Sequence, residues 1–543
     1  MVPDLGIRST RSPHSGQVPV AFIGSVPAFR TKSYAQNRKI SSWKVWNHSA
    51  NIQDMKYYIT TPIYYINDIP HIGHAYTTIA ADVLARYHRA KGDEVFFLTG
   101  TDEHGAKIAE AAERAGKEPQ EFADELVPKF VDAWKNLNIS YDEFFRTTDP
   151  KHEEIVQEFV GKLKESGYVE KRKYEGLYCV GCEKFLKESE LVDGKCPDHK
   201  KEPVKQAEEN YFFKLSEFGD KILAKIESGE IEIGPDTRKN EVVGKIKQGL
   251  EDVSISRAGV KWGIPFPGDP EQTIYVWVDA LLNYYSATEI YAHTTPNPSS
   301  ERRGTAIPPL APPDSGGGPE WPADLHLMAK DILWFHAVIW PAMLLAADLD
   351  LPKKVFAHGF FTINNQKMSK TIGNVIDPNE VVAKFGADAV RYALLREFPF
   401  GEDGDISVEK ITSHYNSLAN NIGNLLQRTL SMMNKYQVKS EKLKVKSEKV
   451  SIDSELEQLD FMGALKKIDD LAITTNKNIA DKQPWVLAKE GKTEELTEVL
   501  VGAHSDLQTI AELLDPFMPE TAEKMKSQLK SLEPEPLFPR LEE

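Results

Sequence analysis

Cysteine is scarce in this chain, whose 543 residues include only three. So few thiols exclude a disulfide scaffold and indicate a reducing compartment. Long apolar runs are also missing, because no stretch reaches the ~18–20 uninterrupted apolar residues that a membrane helix needs. The sequence therefore predicts a protein that does not cross a membrane.

Positive charge is in deficit as well, since 82 acidic residues outnumber 66 basic ones and leave a net charge of −16. This balance excludes bulk electrostatic adhesion to nucleic acid, although a local basic surface can still bind nucleic acid in an acidic protein. Apolar residues make up 41% and charged residues 27%, which is ordinary for a globular protein. The length exceeds what one core can fill and predicts three or four domains.

Acidic residues are nearly absent from the N-terminal segment 1–54, which holds only Asp4 and Asp54. Its basic residues and serines are typical of a transit peptide, which directs a protein to an organelle. The alternative is an upstream region without a role, with the folded protein beginning at Met55, and the lack of an amphipathic period favours it. We therefore expect a cytoplasmic protein with a disordered N-terminal extension.

Strands and helices alternate directly after this segment. A β-prone run covers 57–61, a helical pattern runs from about 71 to 90, an apolar run covers 94–100, and a second helix runs from about 106 to 115. This order predicts a parallel sheet with right-handed crossovers. Ligands of such sheets bind beyond the carboxyl ends of the strands, so the residues just after each strand are the candidates for function.

The pattern then changes several times along the chain. Short segments, a cysteine cluster and many charges from 166 to 250 indicate an inserted domain, and the α/β pattern resumes near 273–278 with a further strand at 355–358. Beyond 410 only helical segments are found, which predicts a helical bundle. The expected organisation is an extension at 1–54, an α/β domain at 55–165 and 251–375 with a flexible Pro/Gly-rich loop at 293–322, an insertion at 166–250, a linker domain at 376–410 and the helical domain at 411–543.

Two histidines lie three residues apart at the start of the first predicted helix, at His71 and His74. They share one face of the helix, and Gly73 between them lets a ligand approach the backbone. A helix N-terminus after a strand attracts phosphate through its free N–H groups and its dipole. The pattern therefore favours a phosphate site, but alone it is weak, and two exposed surface histidines are the alternative.

Two lysines lie three residues apart far down the chain, at Lys367 and Lys370, on a loop that also contains Gly373. Such a loop can neutralise the polyphosphate leaving group of a transfer reaction, and it has to move because the charge is needed chiefly in the transition state. The alternative is a solvated charged loop, which is the usual environment of lysine.

Together these motifs resemble the HIGH and KMSKS signatures of class I aminoacyl-tRNA synthetases. The resemblance implies a Rossmann-type catalytic domain that joins an amino acid to ATP, with Mg²⁺ accompanying the nucleotide, and then passes the aminoacyl group to tRNA. Thr371 replaces a more usual serine but keeps a hydroxyl. The implied catalytic residues are His71, His74, Lys367 and Lys370. The implied ATP-binding residues are His71, Gly73, His74, Asp331, Lys367, Ser369 and Lys370.

Four further segments, at 60–67, 99–105, 277–284 and 330–336, resemble those of the methionyl-tRNA synthetases. The resemblance implies L-methionine as substrate, with Asp102 binding its α-ammonium group. Aromatic edges suit a thioether, since each contact with sulfur is worth ~0.3–1.5 kcal/mol. For any single aromatic residue, packing in the core is the alternative. The implied methionine-binding residues are Ile63, Tyr65, Asp102, Trp277, Ala280, Tyr284, Phe335 and His336.

The three cysteines form a metal-binding pattern with one histidine: Cys179-x-x-Cys182 followed by Cys196-x-x-His199. Three thiolates and an imidazole complete a tetrahedral zinc shell with no open position, which indicates a structural ion and not a catalytic one. Unliganded thiols are the alternative. The insertion matches the zinc-bearing connective domain of the methionyl family.

In the helical region, Asn424 and Arg428 lie four residues apart on one face, and Trp485 follows a proline. Without the upstream motifs we would assign them to bundle packing and a surface salt bridge. The resemblance instead implies that they read the anticodon of tRNA(Met), and it implies an anticodon-binding helical bundle after the catalytic domain.

Two other classes of protein compete with this interpretation. Class I enzymes for leucine, valine or isoleucine carry a large editing domain, for which the insertion at 166–250 is too short. A non-catalytic tRNA-binding relative is expected to have lost motif residues, yet both signatures are complete. No extra oligonucleotide-binding domain follows Arg540, so we expect a monomer.

Overall fold

A computed structural model describes residues 56–179, 184–186, 188–197, 200–291, 319–363, 366–368, 374–438 and 450–541. The N-terminal extension 1–54 and most of the predicted loop 293–322 lie outside these residues. In chain order the strands are β1 (Lys56–Tyr65), β2 (Glu94–Asp102), β3 (Glu143–Arg146), β4 (Val169–Cys179), β5 (Lys184–Leu186), β6 (Val204–Phe213), β7 (Glu232–Gly234), β8 (Val253–Ser254), β9 (Ser256–Arg257), β10 (Pro265–Phe266), β11 (Asp269–Ile274), β12 (Leu325–Ala329), β13 (Lys354–His358), β14 (Phe361–Ile363), β15 (Gln366–Lys367) and β16 (Gly404–Asp405).

The described residues also form seventeen α-helices. In chain order they are α1 (Ile72–Lys91), α2 (Ala106–Ala115), α3 (Pro119–Asn136), α4 (Pro150–Glu165), α5 (Gly219–Ser228), α6 (Asp236–Lys247), α7 (Val276–Tyr291), α8 (Trp340–Ala346), α9 (Pro378–Phe385), α10 (Ala387–Arg396), α11 (Val408–Leu418), α12 (Asn424–Lys435), α13 (Asp453–Glu457), α14 (Phe461–Lys482), α15 (Pro484–Lys489), α16 (Thr493–Leu514) and α17 (Pro519–Ser531). None of these described helices combines the length and the apolar character that a membrane span requires.

A six-stranded sheet forms the centre of the α/β part, with the order β3-β2-β1-β12-β13-β7. All of its strand pairs are parallel, which confirms the predicted parallel sheet. The predicted first strand extends beyond Pro62 to Tyr65, with a register shift between Thr60 and Ile63. Proline has no N–H to donate to a neighbouring strand, which explains the irregularity.

Helix α1 returns the chain from β1 to β2 and has capping groups at both ends. The His71 side chain accepts a hydrogen bond at its N-terminus, and Gly92 ends it with a φ of 96°, a left-handed conformation that glycine adopts without strain. Helix α2 also begins and ends where the sequence predicts. The carboxyl ends of β1, β2 and β12 therefore open onto the helix start at His71.

The cysteine-bearing segment folds as an antiparallel sheet with the order β5-β4-β6-β8. Strand β7, which also lies within 166–250, does not belong to this sheet. It pairs with β13 at the edge of the parallel sheet. The predicted insertion is therefore not one self-contained unit. A strand of three residues is too short for a periodic pattern, which is why sequence reasoning did not find it.

Near residue 273 the α/β pattern resumes in two different elements. β11 ends at Ile274 and pairs with the short strands β9 and β10, and helix α7 begins at Val276. The predicted strand at 355–358 lies within β13, and Asp377 caps α9 as its sequence indicates.

Beyond residue 410 the described residues hold only helices, as predicted. Arg391 on α10 joins this bundle to the α/β part. Its guanidinium donates to the carbonyls of Pro516 and Phe517, in the turn between α16 and α17, at 2.9 and 2.8 Å. It also forms an ion pair of 2.7 Å with Asp82 on α1, and both side chains are fully buried.

Candidate functional site

His71 and His74 stack on each other at the start of α1, with ring centroids 3.7 Å apart and planes at 18°. Nδ1 of His71 accepts from the N–H of Gly73 at 3.1 Å, and Nδ1 of His74 accepts from the N–H of His71 at 3.3 Å. Because both Nδ1 atoms are acceptors, each neutral ring carries its hydrogen on Nε2. The two imidazoles therefore present Nε2–H donors, which suit phosphate oxygens.

The second signature reaches the same helix start. A Cβ added at Gly73 would lie 3.2 Å from the terminal methyl group of Met368 and 3.0 Å from the His71 ring, so a larger residue there would crowd both side chains. The N–H of Ile72 donates to the carbonyl of Ile376 at 3.0 Å. The chain on both sides of the predicted mobile loop thus packs on α1. The side chain of Lys367, and Ser369 and Lys370, lie outside the described residues.

Asp102 is the last residue of β2 and is buried. It lies opposite Tyr65, the last residue of β1, at the carboxyl edge of the sheet. Asp331, which sequence analysis assigned to ATP, is exposed in the short turn that follows β12. Parallel strands thus bring three of the predicted residues to one edge.

A buried clamp holds the residue after Asp102, and sequence reasoning missed it. Nε of Arg146 donates to Glu103 at 2.8 Å and its Nη2 donates to the other carboxylate oxygen at 2.8 Å. Hydroxyls of Thr101 and Thr148 donate to the same carboxylate at 2.6 and 2.7 Å. The clamp fixes the backbone that carries Asp102. Glutamate and arginine so far apart in sequence give no local pattern.

The predicted methionine-binding aromatics lie on two elements that face each other. Trp277 on α7 stacks on Phe335 with centroids 3.9 Å apart and planes at 11°. Tyr284, two turns further along α7, donates its hydroxyl hydrogen to Nε2 of His336 at 2.8 Å. Ala280 between them is buried, and Ile63 and Tyr65 end β1.

His336 is held in one tautomer. Its Nδ1–H donates to the carbonyl of Ile332 at 3.0 Å, so Nε2 is the acceptor for Tyr284. Burial lowers the pKa of His336 to about 4, and the ring is neutral at physiological pH. Two residues that the resemblance assigns to methionine binding thus hydrogen-bond to each other. The Tyr284–His336 pair is therefore uncharged.

A second layer of residues packs against Tyr284, and no sequence pattern indicates it. The imidazole of His326 on β12 lies 4.3 Å from the Tyr284 ring and is fully buried. Its Nδ1 shares a hydrogen bond of 2.7 Å with the hydroxyl of Thr60. Burial lowers the pKa of His326 well below its usual value. The Tyr58 hydroxyl donates to the Tyr284 carbonyl at 2.8 Å, which fixes the helix as well.

A cleft opens beside this site. Arg257 on β9 lines this cleft, and the sequence analysis did not identify it as a candidate site residue. Its guanidinium lies 4.0 Å from the Tyr275 ring and donates to the Ser256 carbonyl at 2.7 Å. A lone arginine in a two-residue strand carries no pattern. The lining residues are His104, Gly105, Ala106, Tyr178, Arg257, Val260, Trp262, Gly263, Ile274, Tyr275 and Val276.

Two of the four predicted metal ligands are described. Cys179 ends β4, and it shares a small buried cluster with Cys196 and Leu186. Cys182 and His199 lie outside the described residues, so no group of three potential ligands is found in the part that is described. Two thiols buried in one cluster from both halves of the pattern fit a zinc ion.

Arg428 and Trp485, which are distant in sequence, meet on the helical bundle. The guanidinium carbon of Arg428 on α12 lies 5.2 Å from the centre of the Trp485 ring on α15. Both side chains are half-buried, and Asn424, at the start of α12, is exposed. A planar cation beside an indole ring at the surface offers a stacking platform for a base.

Comparisons with known proteins agree on one family. The family model described as "tRNA synthetases class I (M)" matches residues 57–204 and 199–430. The methionine–tRNA ligase of Caldanaerobacter subterraneus subsp. tengcongensis is 46% identical over 488 residues, which cover 87% of this chain and 74% of the relative. That of Thermotoga maritima is 46% identical over 490 residues, covering 87% and 75%.

Solved structures give the same result. Mycobacterium tuberculosis methionyl-tRNA synthetase in complex with methionyl-adenylate superposes with a TM-score of 0.78 at 37% identity, covering 90% of this chain and 100% of that chain. The apo form of the same enzyme gives 0.70 at 34% identity, with 91% and 100% covered. The expected Rossmann-type catalytic part with a helical C-terminal region is therefore confirmed. The chain belongs to the methionyl-tRNA synthetases, a family of class I aminoacyl-tRNA synthetases.

Proposed function

We propose that this protein is a methionine–tRNA ligase that works in two steps. The carboxylate of L-methionine attacks the α-phosphate of ATP and releases pyrophosphate, and the methionyl group then passes to the 3′-terminal adenosine of tRNA(Met). The observation that carries this proposal is the joint position of the paired histidines and the neutral aromatic pocket. Both lie at the carboxyl edge of one parallel sheet, where the two substrates of the first step have to meet.

The triphosphate of ATP binds at the start of α1. The Nε2–H groups of His71 and His74 donate to its oxygens, and Gly73 leaves room for the nucleotide. Charge grows on the leaving pyrophosphate in the transition state, and Lys367 and Lys370 neutralise it there. Mg²⁺ accompanies the nucleotide and shields its charge. Asp331 and Ser369 complete the ATP-binding set.

Methionine binds between the sheet edge and α7. Asp102 pairs with the α-ammonium group, and the Trp277–Phe335 stack covers the side chain. Tyr284 and His336 satisfy each other's hydrogen-bonding groups, so a weakly polar thioether enters at little cost. A charged or strongly polar side chain would find no partner in this wall. Ile63, Tyr65 and Ala280 supply the remaining apolar contact.

The tRNA is selected at the other end of the chain. Arg428 and Trp485 stack on and bind bases of the CAU anticodon, and Asn424 hydrogen-bonds to them. The enzyme acts as a cytoplasmic monomer. Light scattering on the purified chain is expected to give the mass of one chain, and a dimer mass would contradict this.

Cys179, Cys182, Cys196 and His199 hold one structural zinc ion. A closed four-ligand shell supplies a crosslink for the small sheet and no chemistry to the reaction. The freshly purified protein should contain one zinc per chain, and Cys196→Ser should lose it. A protein without zinc that keeps the folded insertion by hydrogen exchange would refute this site.

Methionine-dependent exchange of label between pyrophosphate and ATP tests the proposed activity most simply, because it needs no tRNA. We expect exchange with L-methionine and none with L-isoleucine, whose β-branched side chain differs in shape from the unbranched thioether that the Trp277–Phe335 stack covers in this proposal. No exchange with methionine, or equal exchange with isoleucine, would overturn the proposal.

A further inference from the structure

A buried carboxylate joins two histidines directly below the proposed methionine site. Asp279, in the first turn of α7, accepts from Nδ1–H of His104 at 2.8 Å with one oxygen. Its other oxygen accepts from Nε2–H of His152 at 2.7 Å. The three side chains are at most 4% exposed. Both oxygens of the carboxylate are thus used, and both partners are fixed in direction.

The network continues at both ends. His152 carries its hydrogen on Nε2, so in its neutral form Nδ1 accepts from the Ser286 hydroxyl at 2.8 Å. Nε2 of His104 lies 3.6 Å from the carboxylate of Glu153 at the rim. The chain of hydrogen bonds therefore runs from the loop after β2, through the start of α7, to α4 and back to α7 at Ser286.

These connected elements carry the two halves of the proposed methionine site. His104 lies two residues after Asp102, which pairs with the ammonium group in the proposed function. Asp279 lies between Trp277 and Ala280 on the helix that carries the side-chain pocket. No other described hydrogen bond in this region joins the His104 side chain to α7.

We infer that Asp279 and His104 are positioning residues that hold the ammonium-binding loop in register with the side-chain pocket of α7. The inference rests on the proposed function, because it assigns the two halves to one substrate. An apolar contact at this place would hold the elements together but would let them slide. Two directed hydrogen bonds to one carboxylate fix both distance and angle.

The electrostatic setting supports the assignment. Burial opposes the charged form of His104, but Asp279, Glu153 and Glu103 face the ring and together raise its pKa. The pKa of Asp279 is lowered, because both histidines outweigh the cost of its burial. Removing the N–H donor to this buried carboxylate is therefore costly, whereas replacing it with another N–H donor in the same position is not.

The most direct test compares two amides at position 104. His104→Asn puts its NH₂ where Nδ1 stands and keeps the bond to Asp279. His104→Gln places the NH₂ near the position of Nε2 and loses that bond. In the exchange assay on the full chain, we expect His104→Gln to raise KM for methionine about tenfold or more and to leave KM for ATP within about twofold. His104→Asn should stay within about threefold of the parent for both constants.

His88→Asn is the matched control, because His88 forms a 2.7 Å pair with Asp93 at the other end of α1, away from the site. It should change neither KM. Methionine binding by calorimetry should follow the same order as KM for methionine. Thermal unfolding of each variant checks that it is folded.

Equal effects of His104→Asn and His104→Gln would overturn the inference, as would a loss that falls on both substrates and on the unfolding temperature alike. An unchanged KM for methionine in His104→Gln would also overturn it. Failure of the proposed function looks different, since the unaltered chain itself would then show no exchange with methionine.

Discussion

The proposed methionine pocket and the proposed anticodon surface each place an aromatic ring beside a nitrogen-bearing side chain, but in opposite surroundings. In the pocket, Tyr284 and His336 are at most 2% exposed and bond to each other. On the bundle, Trp485 and Arg428 are half-buried, and neighbouring Asn424 is exposed. The side chains of the first site are shielded from solvent, whereas those of the second are in contact with it.

In the proposed function, this difference in exposure matches the difference in size between the two ligands. A single amino acid can be enclosed, so the pocket gains affinity from rigid walls whose polar groups are already satisfied. A tRNA loop cannot be enclosed, so its bases are bound by stacking and by exposed hydrogen-bonding groups. Substitutions in the pocket should therefore affect both stability and methionine affinity, whereas substitutions on the bundle should affect tRNA alone.

The largest effect is expected at Arg391, which connects the α/β part to the helical bundle. Arg391→Met removes the donors to Pro516 and Phe517 and takes one cation from buried Asp82, so it should destabilise the fold by ~3–5 kcal/mol. Denaturant unfolding measures the difference. Arg396→Met is the control, because Arg396 pairs with Asp469 at 3.0 Å in a partly exposed place, where such a pair is worth ~0–1 kcal/mol. Equal losses in both variants would contradict a special role for Arg391.

The second prediction tests how completely the fold shields a buried imidazole, that of His358 on β13, from water. Burial lowers the pKa of His358 to about 4, and its ring accepts from the Thr77 hydroxyl at 2.6 Å. An unfolded chain takes up this proton near pH ~6.5, whereas the folded chain does so only near pH 4. Stability is therefore lost as pH falls through that window, by ~3 kcal/mol from this residue.

Unfolding of His358→Gln as a function of pH isolates that contribution. The variant should show a flatter fall in stability between pH 6.5 and 4 than the parent. Parallel curves for parent and variant would mean that the imidazole is already protonated, or open to water, in the folded protein.

Sequence reasoning predicted some parts of this molecule much better than others. The bounds of α2, the start of α9 and the parallel arrangement of β1 and β2 follow from local periodicity, caps and glycines. Strand β7 did not, because three residues carry no period. Arg146 and His326 were missed for a related reason: each acts through contacts with residues distant in sequence, and a single chain carries no signal for such pairs.

The site residues divide in the same way. The histidines at 71 and 74 and the two described cysteines lie where short-range spacing places them. The mutual hydrogen bond of Tyr284 and His336 could not be foreseen, since it depends on a π-helical turn at Phe335–Ile339 that brings the imidazole toward α7. Roles at Lys367, Lys370 and the anticodon residues still rest on family resemblance.

On the proposed anticodon surface, Trp485→Ala should weaken the aminoacylation of tRNA without affecting the activation of methionine by ATP. Loss of one stacked base costs ~1–3 kcal/mol, so KM for tRNA(Met) should rise about tenfold to a hundredfold. Kinetics of aminoacylation measure this, with Trp321→Phe as a control at an aromatic residue remote from the bundle. An unchanged KM for tRNA would remove Trp485 from the anticodon surface.

The smallest effect is expected from Tyr284→Phe. It removes one hydroxyl and leaves the buried Nε2 of His336 without its donor, at a cost of ~1–3 kcal/mol in stability. KM for methionine should rise no more than about tenfold, because the ring still packs against the ligand. A larger rise would mean that the hydroxyl contacts the sulfur directly, and the two groups would then not be each other's main partner.

In the proposed function, methionine activation belongs wholly to the sheet edge and the methionine pocket. Side-by-side pyrophosphate exchange by Asp102→Asn and Trp485→Ala, without tRNA, tests it directly. Asp102→Asn should lose roughly a hundredfold in kcat/KM for methionine, because the substrate's ammonium group loses its charged partner. Trp485→Ala should stay within about twofold of the parent. Comparable losses in both variants, or full exchange by Asp102→Asn, would contradict the account.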